Sequence, residues 1–310
     1  MEHAYDISYG KARVPVYRVY ATPLSGIPPL PESLFTGRKN ILFAVEVDVE
    51  VFGKNFLPAY TRGDNSMIVA TDTMKNFILQ QALSFHGATL EAFLTSLGQQ
   101  FLTTYPAMEQ VQLTGRELSF TPAQIVLDDS THVKDSDVLF KRSNNDYTLA
   151  SMNFVSHGTD IEMTSHRCGH VGLQLLKVTG SSFTNFVRDN YTTLPERVDR
   201  PLFIYLDVYW KYTNIADMQE RYIPSEQVRD VVQAVFHEFV SESIQHLVHE
   251  MGLRLLTRFP QMAEVSFEGQ NRTRDLIGTS EGSPEQKVYT DPFSAYGMIK
   301  LTITRHDEGQ

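Results

Sequence analysis

Only one cysteine, Cys168, occurs in the 310 residues. No intrachain disulfide can form, and nothing in the cysteine usage points to an oxidising compartment. Positive charge is also short: 27 Lys and Arg stand against 37 Asp and Glu, a net of −10. Binding to nucleic acid phosphates needs a basic face, so that class of partner is disfavoured. A small anion remains possible, because one local arginine can hold it. No apolar run reaches membrane-spanning length. The opening residues, Met1-Glu2-His3-Ala4-Tyr5-Asp6, show neither the basic nor the apolar region of a secretory signal. The closing residues, His306-Asp307-Glu308-Gly309-Gln310, lack the Ser-Lys-Leu peroxisomal ending. No glycine-rich loop is present to cradle a phosphate. These absences lead to the expectation of a cytoplasmic bacterial protein with no nucleic acid or membrane partner. The 42% hydrophobic content is enough for one large domain or two of about 150 residues.

The chain repeats itself. Leu97-Gly98-Gln99-Gln100-Phe101-Leu102-Thr103-Thr104-Tyr105-Pro106-Ala107-Met108 aligns with Met251-Gly252-Leu253-Arg254-Leu255-Leu256-Thr257-Arg258-Phe259-Pro260-Gln261-Met262. Gly, Leu, Thr, Pro and Met recur in register at an offset of 252 − 98 = 154. The same offset carries Thr71-Asp72 onto Ser225-Glu226, Lys75 onto Arg229 and Val111 onto Val265. A constant offset across separate segments signals a duplicated unit. The predicted units are 1–158 and 159–310.

Each unit reads as hairpin, helix, helix, hairpin. Val45-Glu46-Val47-Asp48-Val49-Glu50-Val51 alternates strictly, which is a strand with one polar face. Residues 14–20 are its expected hairpin partner. Met74, Phe77, Ile78 and Phe85 form a helical stripe that Gly87 is expected to close. A second helix is predicted over 90–104, ending ahead of Pro106. Strands are expected over 110–120 and 147–157, with a polar excursion over 122–146 between them. In the second half, strands are expected over 172–179 and 202–212, helices over 225–240 and 243–258, then strands over 264–268 and 297–305. This order gives an α+β fold with helices on one face of antiparallel sheets. Open sheet edges would favour closure by further copies. Taken alone, Glu46, Asp48 and Glu50 suit an ordinary solvated face.

One segment stands apart. Gly63-Asp64-Asn65-Ser66-Met67-Ile68-Val69-Ala70-Thr71-Asp72-Thr73-Met74-Lys75-Asn76 runs from a short apolar strand end at 67–70 into a helix start. Thr71 suits an N-cap, and the open N–H groups with the helix dipole favour an anion there. The plainer reading is a threonine that only caps a helix. The segment resembles the signature of the urate oxidase (uricase) family. So does Lys177-Val178-Thr179-Gly180-Ser181-Ser182-Phe183, followed by Arg188-Asp189-Asn190-Tyr191-Thr192-Thr193-Leu194 and Asp199-Arg200. Phe183 and Arg200 lie seventeen apart, as in that family. Tyr9-Gly10-Lys11, Ile244-Gln245 and Asn271 match in order, so the resemblance runs from Tyr9 to about Arg305.

The resemblance implies a tandem tunnelling fold that closes on oligomerisation into a barrel around a central channel, which Glu46, Asp48 and Glu50 would face, as a homotetramer with active sites shared between subunits. It implies oxidation of urate by dioxygen and water to 5-hydroxyisourate and hydrogen peroxide, with no cofactor and no metal. In this reading Arg200 and Gln245 clamp the purine, Phe183 stacks on it, and the backbones of Asp72 and Ile244 contact it. Lys11 and Thr71 relay a proton, and Asn271 places dioxygen or water above the ring. Arg suits the clamp because its planar fork binds two acceptors at once. One departure stands out. Many family members follow this asparagine with Lys-His, whereas here Asn271 is followed by Arg272-Thr273, and Thr273 does not titrate near neutrality. Apart from the resemblance, Arg200 better suits a surface ion pair with Asp199 or Glu196. Gln245 suits an exposed helix position, Phe183 a core, and Lys11 a solvated strand end.

Two other readings remain. His166, Cys168 and His170 fall at i, i+2 and i+4, on one face of a strand, where they could serve a metal-dependent pterin or purine enzyme of the same fold. A non-catalytic purine-binding scaffold is the other. His246 and His249 with Glu250 lack zinc-protease spacing. The sequons at Asn190 and Asn271 and the tripeptide Arg62-Gly63-Asp64 carry no argument.

Overall fold

The computed structural model describes residues 4–126, 132–142 and 145–305. The two ends discussed above for targeting lie partly outside these residues, as does the middle of the 122–146 excursion. Contacts divide the chain into two compact units. Unit 1 comprises Met1–Pro28, Thr36–Gly169 and Met218–Tyr222, and unit 2 comprises Pro29–Phe35, His170–Asp217 and Ile223–Gln310.

Unit 1 begins with the predicted hairpin, β1 (Ser8–Val19) antiparallel to β2 (Leu42–Phe52). Val45, Val47, Val49 and Val51 on β2 are all buried, so the alternation in sequence is an alternation of faces. A 3-10 turn at Lys54–Phe56 leads into α1 (Leu57–Arg62), then α2 (Thr71–Ser84) and α3 (Leu90–Thr104). Strand β3 (Gln110–Glu117) pairs with β2 and with β6 (Tyr147–His157), both antiparallel. Within unit 1 the strand order is β1-β2-β3-β6, followed by the first part of β7 (Asp160–Lys177). Helix α2 packs on β1, and α3 packs on β3 and β6.

The polar excursion over 122–146 falls largely on strands where it is described. It holds a separate two-stranded antiparallel hairpin, β4 (Phe120–Val126) with β5 (Val133–Arg142). Its strands bury little, so they carry no apolar alternation from which to read them.

Unit 2 takes the second part of β7, then β8 (Leu202–Tyr212), a short α4 (Asp217–Glu220), α5 (Ser225–Glu238) and α6 (Ile244–Arg258). Strand β9 (Met262–Asn271) pairs with β8 and with β12 (Gly297–Thr304), both antiparallel. A separate hairpin, β10 (Leu276–Thr279) with β11 (Lys287–Tyr289), stands between β9 and β12 in sequence. The fold is α+β with antiparallel sheets, as expected.

The two helix pairs keep the offset of the sequence repeat. Helices α2 and α5 each have 14 residues and start 225 − 71 = 154 apart; α3 and α6 each have 15 and start 244 − 90 = 154 apart. Their caps keep it too: the Thr89 side chain accepts from the Ala92 N–H, and the Ser243 side chain from the His246 N–H. The aligned glycines explain their own recurrence. A Cβ on Gly98 would fall 2.4 Å from the Phe154 ring, and one on Gly252 2.6 Å from the Ile303 Cδ1. Each glycine lets its helix lie close on the strands beneath it.

Three expectations about α2 and its surroundings need correction. Residues 67–70 are a turn and loop, not a strand end. Ala70 is the N-cap and makes no side-chain cap bond, so Thr71 is the first helical residue and not the cap. Its hydroxyl is therefore not committed to its own helix end. The helix ends at Ser84 with Phe85 extended at φ −69° and ψ 133°, before Gly87 is reached. Strand β7 begins at Asp160, well ahead of the predicted 172. Among the described residues no helix is long and apolar enough to cross a membrane.

Candidate active site

In unit 1 the candidates lie on β1 and at the start of α2. Lys11 sits opposite Val49, and the β1–β2 register shifts between Lys11 and Val14, where Arg13 takes φ 56°. Such a bulge re-aims the side chains beside it. Gly10 immediately precedes it, and a Cβ there would stand 1.9 Å from the Val49 carbonyl oxygen. The strand can approach β2 this closely only because residue 10 has no side chain. The polar face beside Lys11 is tied down: Asp48 binds the Arg116 guanidinium at 2.8 Å, and Glu50 accepts from the Ser8 hydroxyl.

Thr71 opens α2. The first N–H groups of a helix have no partner within it, and the earliest intrahelical bond here runs from the Met74 N–H to the Ala70 carbonyl, 3.1 Å. The exposed Asp72 carboxylate turns to Lys75 and to the Asn76 amide at 3.2 Å. The Lys75 hydrogen bond is the chief cause holding its carboxyl below the usual range, and the Lys11 charge adds to it. Lys11 and the start of α2 are thus electrostatic neighbours. The Asp72 backbone N–H is among the first-turn N–H groups that have no partner within the helix.

In unit 2 the segment after β7 folds back on itself. The Phe183 N–H donates to the Arg197 carbonyl at 2.7 Å, the Arg197 N–H returns the bond at 3.0 Å, and the Arg200 N–H donates to the Ser181 carbonyl at 2.8 Å. This backbone ladder brings the two candidates seventeen residues apart together. The Arg200 guanidinium carbon lies 5.4 Å from the Phe183 ring centroid. Phe186 stacks on Phe183, with 4.9 Å between centroids and 10° between planes; it was not singled out in the sequence.

Arg200 is not in the surface ion pair that the sequence allowed. Asp199 instead accepts from the Thr179 hydroxyl at 2.8 Å and the Gly180 N–H at 2.7 Å, and Glu196 accepts from the Asn185 N–H at 3.2 Å. The Arg200 Nε is buried with no hydrogen-bond partner. Burial, aided by the nearby Arg197 charge, lowers the guanidinium pKa. A buried donor without an acceptor is costly.

Arg200, Asn271 and Thr273 line one cavity of about 160 Å³, together with Arg197, Arg274 and Lys287. Asn271 ends β9, opposite Ile204 on one side and Gly297 on the other. Arg272 lines the cavity as well, and its guanidinium lies 5.0 Å from both the Tyr205 and Tyr296 rings. Ile244 and Gln245 open α6, Ile244 buried and Gln245 exposed. Gln245 is not among the residues lining the Arg200 cavity. The cationic lining is the feature that single residues in the sequence did not announce. Arg197, Arg274 and Lys287 lie up to 90 positions apart (287 − 197) and meet only through the fold.

The metal reading gains no support. Cys168 is fully buried, and its thiol is pushed well up by burial and by Glu91 beside it. His170 Nδ1 is 2.5 Å from the Ser225 hydroxyl. Among the described residues no group of three or more His, Cys, Asp or Glu could hold a metal ion.

A family model described as uricase matches residues 43–149 and 166–300. The chain is 48% identical over 305 residues to a uricase of Haloferax volcanii, covering 97% of this chain and 99% of that one. It is 44% identical over 304 residues to the uric acid degradation bifunctional protein of Bacillus sp. TB-90, covering 96% of this chain but only 60% of that protein. A crystal structure of Bacillus sp. TB-90 urate oxidase superposes with a TM-score of 0.93 at 44% identity, covering 97% of this chain and 100% of that one. A uricase from Bacillus fastidious superposes with a TM-score of 0.91 at 40% identity, covering 97% and 94%.

Proposed function

The chain belongs to the uricase family, and from that premise we propose that it is a urate oxidase, an oxidoreductase working in the cytoplasm on urate with dioxygen as acceptor. Urate, dioxygen and water give 5-hydroxyisourate and hydrogen peroxide. Two electrons leave the purine for dioxygen, which gains two protons, and a hydroxyl from water forms the new C–O bond. The observation that carries this reading is Arg200: partly desolvated, its Nε buried without a partner, over the Phe183 ring and in one cavity with Asn271.

In this reading urate enters as a flat anion. Arg200 takes its carbonyl and ring-nitrogen edge, Gln245 reads the opposite edge, and Phe183 stacks on its face, itself backed by Phe186. The Asp72 N–H and the Ile244 backbone fix its rotation. Thr71, uncommitted as a cap, passes a proton of the bound purine towards Lys11. The dianion formed is electron-rich enough to reduce dioxygen held by Asn271. Arg200 stabilises the growing charge, and its prior desolvation means it does so without competing water. Thr273 stands where many family members have His, so the relay here would end on hydroxyl and water in place of an imidazole. The active assembly would be a homotetramer, its sheets closed into a barrel, with each site drawing Lys11, Thr71 and Asp72 from one subunit and Phe183, Arg200, Ile244, Gln245 and Asn271 from another.

The test is direct. Pure protein mixed with urate in air should consume urate and release an equal amount of peroxide, with no added cofactor and with rate unchanged after exhaustive chelation. Loss of turnover on chelation, restored by zinc, would move the protein to the metal-dependent reading. Urate binding without consumption would leave only a purine-binding scaffold.

A further inference from the structure

The proposed relay joins two elements far apart in sequence, β1 with Lys11 and the start of α2 with Thr71. Proton transfer between them depends on their spacing as well as on their identity. One side chain spans that gap. Tyr9 lies two residues before Lys11 on β1, so the two leave the strand on the same face. Its hydroxyl oxygen accepts from the Val69 N–H at 2.9 Å, and Val69 lies two residues before Thr71. This bond is long-range, from strand to the loop that feeds the helix. The rest of the tyrosine is braced. Its ring meets Phe56 edge-on, centroids 5.1 Å apart and planes at 89°. The neighbouring Ser8 carbonyl accepts from the Tyr60 hydroxyl at 2.7 Å. Gly10 then allows the close contact with β2 that fixes where Lys11 leaves the sheet. Burial pushes the Tyr9 phenol pKa up, so the hydroxyl stays protonated.

The loop needs such a tie. Residues 67–70 are in no strand, and α2 begins at an alanine cap that makes no side-chain bond. Within that loop, Ile68 donates to the Asn65 carbonyl and Val69 to Tyr9; the first of these is local and does not anchor the loop to β1.

We propose that Tyr9 is a positioning residue of the relay: its hydroxyl, by holding the Val69 N–H, sets the distance between Lys11 and Thr71. This rests on the Lys11–Thr71 relay of the preceding section. The tyrosine touches neither substrate nor dioxygen and acts only through the two groups it aligns.

The test compares Tyr9→Phe with Lys11→Ala in the assembled enzyme. Phenylalanine keeps the ring against Phe56 and removes only the hydroxyl. Tyr9→Phe should lower kcat by about tenfold, since small misplacements of reacting groups cost that much or more. KM and the affinity for a purine analogue that is not oxidised should stay within about twofold, because the clamp in the second half of the chain is untouched. The solvent deuterium isotope effect on kcat should rise as proton transfer becomes limiting. A Tyr9→Phe enzyme with unchanged kcat and isotope effect, beside a dead Lys11→Ala enzyme, overturns the positioning role while leaving the relay intact. A parallel loss of analogue affinity and kcat would mark Tyr9 as a packing residue only. An active Lys11→Ala enzyme would remove the relay itself, and the role of Tyr9 with it.

Discussion

Arg200 carries a guanidinium that burial has partly stripped of water. A lysine there would keep the charge and lose the fork. An ammonium is also more strongly hydrated than a guanidinium, so it resists the desolvated position over Phe183. Arg200→Lys should therefore weaken urate use by more than about tenfold, within the roughly 2–5 kcal/mol typical when a buried charge pair loses a partner. The loss should fall on KM and kcat together, because in the proposed mechanism the same contact would bind urate and steady the dianion. The measurement is kcat/KM at low urate, and near-normal turnover would return Arg200 to the role of a surface residue. Neighbouring Arg197 shows how much of this was hidden. The string Asp199-Arg200 was legible, and so was its match to a family. That Asp199 would be spent on Thr179 and Gly180, leaving Arg200 unpaired, was not. Pairing depends on where two loops meet, and sequence spacing does not record it. Tyr9 makes the same point: it was readable as a letter in a motif but not as the acceptor for the Val69 N–H sixty residues away (69 − 9).

Elements were legible where burial imposes a period. Strand β2, with four buried valines, and helices α3 and α6, with apolar stripes and capping hydroxyls, fall where the sequence places them. The β4–β5 hairpin buries little and so left no pattern. The start of α2 misled because a threonine followed by aspartate suits a cap, whereas the cap is the alanine before it and Thr71 is already the first helical residue. A further element was invisible for a different reason. Residues 29–35 form no helix and almost no strand, yet they belong to unit 2 and are held there by side chains. Glu32 accepts from Arg258 Nη2 at 2.7 Å and from Arg254 Nη1 at 2.9 Å, the Ser33 hydroxyl donates to Asp230 at 2.6 Å, and the Gln227 amide donates to the Phe35 carbonyl at 2.9 Å. The Glu32 side chain is only 6% exposed. The Arg258 hydrogen bond, with help from Arg254, lowers its pKa from 4.5 to about 2. A depressed carboxyl stabilises the fold above its unfolded pKa, and that contribution fades as pH falls from 4.5 towards 2. At about 1.4 kcal/mol per unit, the contribution near neutrality is on the order of 3 kcal/mol. Glu32→Gln should lower the urea midpoint at pH 7, and its gap from the parent should close as the pH is lowered through that window. A gap that does not vary with pH would show that the strap is held by packing and not by the charge.

At the scale of the whole molecule, the two halves of the proposed site are separated along the chain. Lys11, Thr71 and Asp72 belong to unit 1, and Phe183, Arg200, Ile244, Gln245 and Asn271 belong to unit 2. Duplication explains why one unit can specialise while the other does something else. At the offset of 154, Thr71 and Asp72 correspond to Ser225 and Glu226. Ser225 is buried and held by His170, so that helix start is closed, while the start of α2 stays accessible. The two copies of one structural feature have thus diverged into a structural end and an open end. In the proposed assembly the sheet edges at β1 and β12, each with one strand neighbour among the described residues, would be closed by other copies of the chain. A head-to-tail arrangement would set the relay of one subunit against the clamp of the next. Lys11→Ala and Arg200→Ala should then each be nearly inactive as pure proteins. Co-expressed and purified as mixed oligomers, they should regain part of the activity, because some interfaces join an intact unit 1 to an intact unit 2. If subunits were drawn at random into a shared-site assembly, about a quarter of sites would carry neither substitution, so recovery near a quarter of the parent rate is expected when sites act independently. Mixed oligomers verified by mass spectrometry that stay as inactive as either parent would place relay and clamp within one chain.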